Sequence, residues 1–286
     1  MSAAQRLGQH FLTDPELLRR IADALDPTRQ DVVIEIGPGR GSLTAELAAR
    51  VGLVVAIERD RRLARELRGM GNGEWGNVQI VGGDALRLDW HEFVSGTTIP
   101  HSPFPIPRLS TSPHSPFPIP RFKVVGNIPY SITSPLIEKA LTPPLPERIV
   151  FLVQREVAER VAAAPGGKTY GALSVGVQAV CRAELLFRVP AGAFRPPPKV
   201  ESALLRLTPL AAPLIAPDEG PALRRFVTAC FSRRRKQLRN VVMAAAGRPA
   251  AEVSAGLALL GLDPAARPET LPPAEFIRLL RWSGGL

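Results

Sequence analysis

Short apolar runs alternate with amphipathic stretches along the first part of the chain. The runs are rich in valine and isoleucine and have the length of buried strands, and they fall at 32–36, 53–58, 78–81, 123–127 and 148–153. The stretches around them have helical spacing. The first of these, at 14–25, carries Asp14 where an N-cap is expected and Pro15 at the first helical position. Strands that alternate with helices predict an α/β fold, here a Rossmann-like, doubly wound and mostly parallel sheet.

The pattern changes after residue 153 and again after residue 217. The middle part contains, in order, a helix, a Gly-rich loop, a helical stretch and two strands, at 156–164, 165–171, 172–181, 184–189 and 202–207. Beyond it, short helices alternate with Gly and Pro breaks. We therefore predict two domains, one at 1–208 that carries the sheet and a small helical one at 209–286.

A proline-rich repeat interrupts the sheet pattern. The octapeptide HSPFPIPR stands at 101–108 and again at 114–121, within an insertion at about 95–121. Its proline density excludes helix and central strand and favours an extended loop. Because it precedes a strand, we expect it at the sheet edge opposite the carboxyl ends, where ligands bind. A surface insertion is the simpler interpretation, and a ligand for a proline-recognition domain is the alternative.

Composition narrows the partners and the compartment. The formal net charge of +10 and the pI of about 10.6 favour a polyanionic partner. Cys181 and Cys230 form no ligand cluster, so we expect two buried apolar residues and no metal. No apolar run approaches the ~20 residues of a membrane span, and residues 1–10 lack the apolar core of a secretion signal. A cytoplasmic monomer is expected.

Glycines and acids stand where a cofactor would bind. A turn with Gly37, Gly39 and Gly41 follows the first strand, Glu58 ends the second strand, and Asp84 follows the third. Glycines let the backbone approach a ligand closely, and a carboxylate at the second strand end can accept both ribose hydroxyls of an adenosine cofactor. Alone, this pairing suits a dinucleotide about as well as S-adenosylmethionine, and the GxGxG spacing weakens the dinucleotide interpretation. Asp84 is suited to the cofactor's adenine amine, to a helix N-cap, or to both.

The segment Asn127-Ile128-Pro129-Tyr130 ends the fourth strand. The N6 amine of adenine is a poor nucleophile because its lone pair is delocalised into the ring. The Asn127 side-chain oxygen and the Ile128 carbonyl can accept its two N–H groups, while Pro129 stiffens the turn. Tyr130 offers a face on which an extruded base can stack. The bland alternative is a strand-to-loop turn, and the preceding motifs favour the functional interpretation.

A basic run near the C-terminus is the best candidate for RNA-backbone contact. At helical spacing Arg235 and Arg239 would share a face. The run comprises Arg233, Arg234, Arg235, Lys236 and Arg239. A charge run is as often a solvated face, and this is the interpretation we favour for the arginines at 59–68. The loop at 165–171 is either a flap over the target or a plain connector.

Five stretches together resemble the small-subunit ribosomal RNA adenine N6,N6-dimethyltransferases: QRLGQHFL (5–12), EIGPGRGSLT (35–44), VGNIPYSITSPL (125–136), AFRPPPKVESALLRL (193–207) and FSRRRKQLRN (231–240). The resemblance implies a class I methyltransferase fold with S-adenosyl-L-methionine as cofactor. It also implies dimethylation of two adjacent adenosines near the 3′ end of small-subunit rRNA, within an assembling small ribosomal subunit.

The resemblance also places the family's cofactor contacts, residue by residue, on His10, Leu12, Gly37, Glu58, Asp84 and Asn127. His10 stands where the family commonly has asparagine. Phe194 matches a second aromatic wall of the adenine pocket. Three rivals stay open: a large-subunit rRNA adenine methylase of the macrolide-resistance type, a non-catalytic ribosome assembly factor on the same scaffold, and a nicotinamide dehydrogenase, for which no hydride-transfer residues are found.

Overall fold

Strands and helices alternate along most of the chain. The structure of the protein, a computed structural model, describes residues 10–94 and 122–284, with only the backbone of 71–74. Its strands are β1 Phe11–Leu12, β2 Val32–Ile36, β3 Leu53–Glu58, β4 Val78–Gly82, β5 Phe122–Asn127, β6 Arg148–Gln154, β7 Cys181–Val189, β8 Phe194–Arg195 and β9 Ser202–Pro209. Its helices are α1 Pro15–Ala24, α2 Ser42–Ala48, α3 Arg61–Glu74, α4 Trp90–Val94, α5 Thr133–Ala140, α6 Arg155–Val161, α7 Ala172–Gln178, α8 Gly220–Ser232, α9 Leu238–Ala246, α10 Ala250–Leu259 and α11 Pro273–Ser283. The proline-rich repeat lies outside the described residues.

The first helix forms where its capping signals predict. The Asp14 carboxylate accepts the N–H groups of Glu16 and Leu17, at 2.9 and 3.1 Å. The first N–H groups of a helix have no partner within the helix, so these bonds satisfy them. Pro15 stands at the first helical position, where its lack of an N–H costs no hydrogen bond. Ile21 and its neighbours on the apolar face are buried. The predicted helix is confirmed to within a residue of its ends.

The sheet has the order β4-β3-β2-β5-β6-β9-β7. Strands β2 to β6 run parallel, and β9 pairs antiparallel with β6. Val33 and Ile34 point to opposite faces of β2 and both are fully buried, so both faces of the sheet are covered. The chain order reverses at β2, between β3 on one side and β5 on the other, which opens a crevice at the carboxyl ends. This confirms the predicted Rossmann-like, mostly parallel sheet.

Several boundaries differ from the sequence-based ones. β7 begins at Cys181 and α7 ends at Gln178, whereas the pattern predicted a helical stretch to 181 and a strand from 184. α6 ends at Val161 instead of residue 164, and α3 runs to Glu74 instead of residue 68. The pair β1 and β8 was not predicted, because it joins Leu12 to Phe194 and no local pattern reports so distant a partner.

The chain divides into two compact units. The first comprises residues up to Arg155 together with Leu185–Thr208, and the second comprises Glu156–Glu184 together with the chain from Pro209. The residues 156–184 thus belong to the second unit, whereas the sequence-based division placed them in the first. The reason is a second apolar core, which gathers Tyr170 and Val175 of this segment with side chains of α8 to α11. The first unit has its own core between α1, α2 and the sheet.

Candidate active site

A cavity of about 440 Å³ opens at the carboxyl ends of the parallel strands in the first unit. Gly37 and Gly39 line it after β2, Glu58 at the end of β3, Asp84 after β4, and Asn127 at the end of β5. Parallel strands end at the same edge of a sheet, so residues that follow successive strands meet there. The structure thus brings together five residues that the sequence assigned to a cofactor site.

The turn after β2 requires glycine. Gly37 and Gly39 have φ of 68° and 62°, in the left-handed region. A Cβ on Gly39 would stand 2.9 Å from the ring of Phe11, and one on Gly37 would stand 3.8 Å from the Asn127 carbonyl oxygen. Side chains here would narrow the cavity, so the bare backbone forms a cradle for a ligand.

Glu58 is a buried acceptor at the centre of the lining. Its Oε1 accepts the N–H of Asp60 at 2.8 Å, and its Oε2 accepts the N–H of Gly39 at 3.1 Å. Burial raises the pKa of the Glu58 carboxyl, while these two N–H donors act in the opposite direction. The carboxyl holds the Gly-rich turn against β3, and each oxygen has a further lone pair for a ligand hydroxyl.

A second buried acid, Glu35, links the two elements that flank the Gly-rich turn. Its Oε2 accepts the hydroxyl of Thr44 at 2.6 Å, which joins the end of β2 to the first turn of α2. Burial raises the pKa of Glu35 to about 8, with the Thr44 hydrogen bond acting in the opposite direction and the nearby Glu58 raising it further. Glu35 was not among the predicted site residues, although it opens the EIGPG segment that carries the glycines.

Asp84 makes a cap-type hydrogen bond and also lines the cavity. Its Oδ1 accepts the N–H of Leu86 at 3.0 Å, as in a cap. Its Oδ2 lies 3.8 Å from Nε of Arg59, and both residues line the cavity. Arg59 is a lining residue that sequence analysis assigned to a solvated helix.

Asn127 is oriented by the N-terminal segment. Its Nδ2 donates to the His10 carbonyl at 2.7 Å, so Oδ1 is the acceptor end of the amide. The next N–H, of Ile128, donates to the Leu152 carbonyl of β6 at 3.0 Å. The Pro129 carbonyl accepts the N–H of Ile132 at 3.0 Å and starts a short 3₁₀ turn. Main-chain hydrogen bonds on both sides therefore hold this turn at the cavity.

Tyr130 lines the cavity beside Asn127. Its hydroxyl shares a hydrogen bond of 2.8 Å with that of Ser202 at the start of β9. Burial raises the pKa of the Tyr130 phenol, and the Ser202 hydrogen bond acts in the opposite direction. The ring stacks with that of His10 at a centroid distance of 5.9 Å and an interplanar angle of 29°. Tyr130 is thus an uncharged aromatic side chain, fixed by the hydrogen bond of its hydroxyl to Ser202 and by the stacking of its ring with His10.

The N-terminal segment contributes His10 to the cavity lining, whereas Leu12, its other predicted cofactor contact, lies in the apolar core. Nδ1 of His10 donates to the Pro196 carbonyl at 2.8 Å. Leu12 and Phe194 are paired across β1 and β8, are 6% and 1% exposed, and pack in the apolar core. A ring so buried presents no face to a base, so this arrangement does not support Phe194 as an aromatic wall. The lining aromatic from this segment is Phe11, which sequence analysis missed within QRLGQHFL.

The basic run of the second unit forms a turn between helices. α8 ends at Ser232 and α9 begins at Leu238, and the Lys236 N–H donates to the Arg233 carbonyl at 2.8 Å. The prediction that Arg235 and Arg239 share a helical face is therefore wrong, because the chain leaves the helical conformation between them. The exposed side chains of this basic turn are Arg233, Arg235, Lys236 and Arg239.

Arg234 differs from its neighbours in the turn. Its Nε donates to Oε2 of Glu269 at 2.9 Å, and its Nη2 donates to the carbonyl of Lys168 at 3.1 Å. The bond to Lys168 ties the turn to the loop 165–171, and the ion pair ties it to Glu269, both within the second unit. The ion pair already compensates the Arg234 charge, so its placement does not support the predicted phosphate contact.

Comparison with known proteins decides the family. The sequence matches the ribosomal RNA adenine dimethylase family over residues 1–282. The chain belongs to this family. A ribosomal RNA small subunit methyltransferase A from Nitrosococcus oceani is 40% identical over 98% of this chain and 96% of its own length. One from a Synechococcus strain is 42% identical, over 96% and 91%.

Two solved structures have a similar fold along nearly the whole chain. A dimethyladenosine transferase from Plasmodium falciparum has a TM-score of 0.78 at 26% identity, covering 96% of this chain and 99% of that one. The 23S rRNA methyltransferase ErmE has a TM-score of 0.68 at 28% identity with the same coverage. These likenesses confirm the predicted class I methyltransferase fold with its C-terminal helices, and S-adenosyl-L-methionine as the cofactor of the family.

Residues 10–94 and 122–284 lack two other kinds of feature. In this part of the chain, no helix has both the length and the apolar character that a membrane crossing needs. The same residues contain no group of three histidine, cysteine or acidic side chains that could hold a metal ion. Cys181 and Cys230 are free and buried, as their type predicted.

Proposed function

We propose that this protein transfers methyl groups from S-adenosyl-L-methionine to N6 of two adjacent adenosines near the 3′ end of small-subunit rRNA. The product is N6,N6-dimethyladenosine. The observation that carries the proposal is the amide of Asn127, held by the His10 carbonyl with its acceptor oxygen available at a cavity lined by the cofactor-type residues. The names of the relatives, at about 40% identity over nearly the whole chain, support the small subunit as the target.

The lining residues fit the cofactor. The Gly37–Gly39 cradle leaves room where a Cβ would stand, Glu58 offers carboxyl oxygens to ribose hydroxyls, and Asp84 offers one to an adenine amine. A volume of about 440 Å³ lies within the range of ligand pockets. When bound, the cofactor supplies an electrophilic methyl group on a sulfonium. The chain's own part is to hold and orient the amine.

Asn127 and Ile128 would accept the two N–H groups of the adenine amine. Two acceptors draw the nitrogen out of conjugation with the ring and direct its lone pair outward, and the turn that holds them is fixed before the base arrives. An amide is not a base, so the amine would lose its proton after attack. Tyr130 lies on the same turn and would stack on the base, since its ring lines the cavity.

The second unit would hold the RNA. In this proposal the 209–286 region binds rRNA through Arg233, Arg235, Lys236 and Arg239, whose exposed guanidinium and ammonium groups suit phosphates. The substrate is an assembling small subunit, the enzyme acts as a cytoplasmic monomer, and the insertion at 95–121 is outside the chemistry.

The test is methyl transfer from labelled S-adenosyl-L-methionine to small ribosomal subunits that lack adenine dimethylation, with nucleoside analysis of the product. We expect N6,N6-dimethyladenosine in small-subunit rRNA. Label only in large-subunit rRNA would favour the activity named for the ErmE relative, and cofactor binding without label on either subunit would favour an assembly factor.

A further inference from the structure

A second concavity, of about 500 Å³, adjoins the cofactor cavity in the first unit. It lies between α3 and the loop that follows β4, and it shares Arg59, Gly83 and Asp84 with the cofactor cavity. We call it the basic concavity, and the charged side chains that line it are Arg59, Arg61, Arg65, Arg68 and Asp84. Four arginines thus face one carboxylate.

The positive charge of the basic concavity is largely uncompensated. Asp84 lies 3.8 Å from Nε of Arg59, which is a long ion pair, and no other acid of the described residues lines the concavity. Arg68 donates from Nε and Nη2 to the Ile80 carbonyl at 3.4 and 3.2 Å, which holds the side chain in place and keeps its charge. Within the described part of the chain, exposed Arg61 and Arg65 form no ion pair.

The arrangement on α3 separates these arginines from an ordinary solvated helix face. Arg61, Arg65 and Arg68 lie at i, i+4 and i+7 and share one face. On the neighbouring face Arg62 is paired with Glu66 at 2.6 Å, as expected of a solvated helix. The start of the helix is not the anion site, because Asp60 already caps its first N–H groups. The charge therefore comes from the side chains of the concavity.

We propose that the basic concavity binds backbone phosphates of the target RNA. Arginine forks match phosphate oxygens, and an acid-poor cluster of them is costly to maintain by self-repulsion unless an anion is bound. Because the two cavities share Arg59, Gly83 and Asp84, phosphates bound here would lie next to the cofactor cavity within the first unit. The inference rests on the proposed function, and it adds an RNA contact in the first unit to the one proposed for the second.

The experiment measures the affinity of the full-length protein for undimethylated small subunits, and for a 3′-terminal small-subunit rRNA fragment, as a function of salt. The variant is Arg61→Gln with Arg65→Gln, and the matched control is Arg62→Gln on the adjacent face. Each lost phosphate contact lowers the slope of log affinity against log salt by ~0.7 to 0.9. We expect the double variant to lose ~1.4 to 1.8 in slope, so that its Kd disadvantage shrinks about tenfold between 50 and 200 mM salt. The control should keep the wild-type slope.

Three further readings make the result decisive. Arg61→Lys with Arg65→Lys should keep most of the slope, which separates charge loss from misfolding. An unrelated RNA of equal length should lose the same slope, since backbone contacts do not read sequence. Competition by inorganic phosphate at millimolar concentration without any change in RNA slope would reveal a small-anion site and overturn the proposal.

A wild-type slope in the double variant, or an equal loss in the Arg62→Gln control, would overturn it as well. Cofactor affinity, measured by calorimetry, should be the same in all four proteins. The proposed function is scored separately, by methylation with the wild-type enzyme, so a failure of that assay leaves the RNA slopes interpretable.

Discussion

Asn127→Ala is the substitution that most directly tests the proposed chemistry. Among the described residues, the Asn127 side chain makes one hydrogen bond, from Nδ2 to the His10 carbonyl at 2.7 Å, and Oδ1 is the end of the amide available to an amine. Alanine removes both ends at once. The other residues proposed to bind the cofactor, Gly39, Glu58 and Asp84, lie at the ends of other strands, and this substitution leaves them unchanged.

The magnitudes of the two losses differ. A preorganised hydrogen-bond partner at the reacting group is worth ~2.7 to 4 kcal/mol, or a factor of ~100 to 1,000 in rate. The partly buried bond to His10 is worth ~0.5 to 1.5 kcal/mol, which limits the loss of cofactor affinity to about tenfold. The chemical step should therefore suffer far more than cofactor binding.

The assay is single-turnover methyl transfer to undimethylated small subunits at saturating enzyme, with cofactor affinity measured in parallel by calorimetry. Asn127→Asp is the matched control, since it keeps an acceptor oxygen and loses the donor to His10. We expect its rate to fall between those of wild type and Asn127→Ala. A wild-type single-turnover rate in the alanine variant would refute the role of the amide, and an equal loss in rate and cofactor affinity would make Asn127 a cofactor ligand instead.

Three other substitutions test the packing of the first unit. Gly39→Ala places a side chain on a residue whose φ is 62°, which costs ~1 to 2 kcal/mol. Calorimetry should therefore show cofactor affinity reduced about tenfold or more. The control is Gly69→Ala, which has open space around it and should bind the cofactor with wild-type affinity. Asp31→Ala leaves Lys123 buried without its ion-pair partner at 2.7 Å, so urea unfolding should show a loss of ~3 to 5 kcal/mol; a loss below ~1 kcal/mol would contradict this. Burial raises the pKa of Glu35 from 4.5 to about 8, so the folded state keeps a proton that the unfolded chain releases, and the carboxyl costs stability increasingly from about pH 4.5 to 8. Glu35→Gln should therefore gain in Tm over wild type at pH 8 relative to pH 5, and a constant difference would exclude the raised pKa.

The local pattern was sufficient for the sheet and for much of the cavity. Residues with chemical function follow the ends of β2, β3, β4 and β5, and those ends meet in space because the strands are parallel. Gly39, Glu58, Asp84 and Asn127 could therefore be assigned to one site without any tertiary information. The family stretches added His10, which lines the same cavity through a segment far from it in sequence.

Other features depended on partners that no local pattern reports. Phe194 matched the family's pattern for a base wall, yet its pairing with Leu12 buries the ring in the core. Arg234 belongs to a basic run, yet it forms an ion pair with Glu269, which lies 35 residues further along the chain. The arginines of α3 were predicted to lie on a solvated helix face, yet three of them line a concavity that this helix forms together with the loop after β4.

Local sequence patterns were enough to predict which segments become strands and helices, where each parallel strand ends, and hence which residues can meet at the carboxyl edge. These properties follow from apolar periodicity, capping and turn residues, all of which act over a few positions. The tertiary structure alone decided which of the candidate side chains are exposed, which are paired, and how 156–184 joins the second unit. Burial and charge compensation depend on contacts between distant parts of the chain, and such contacts form only once the elements have packed.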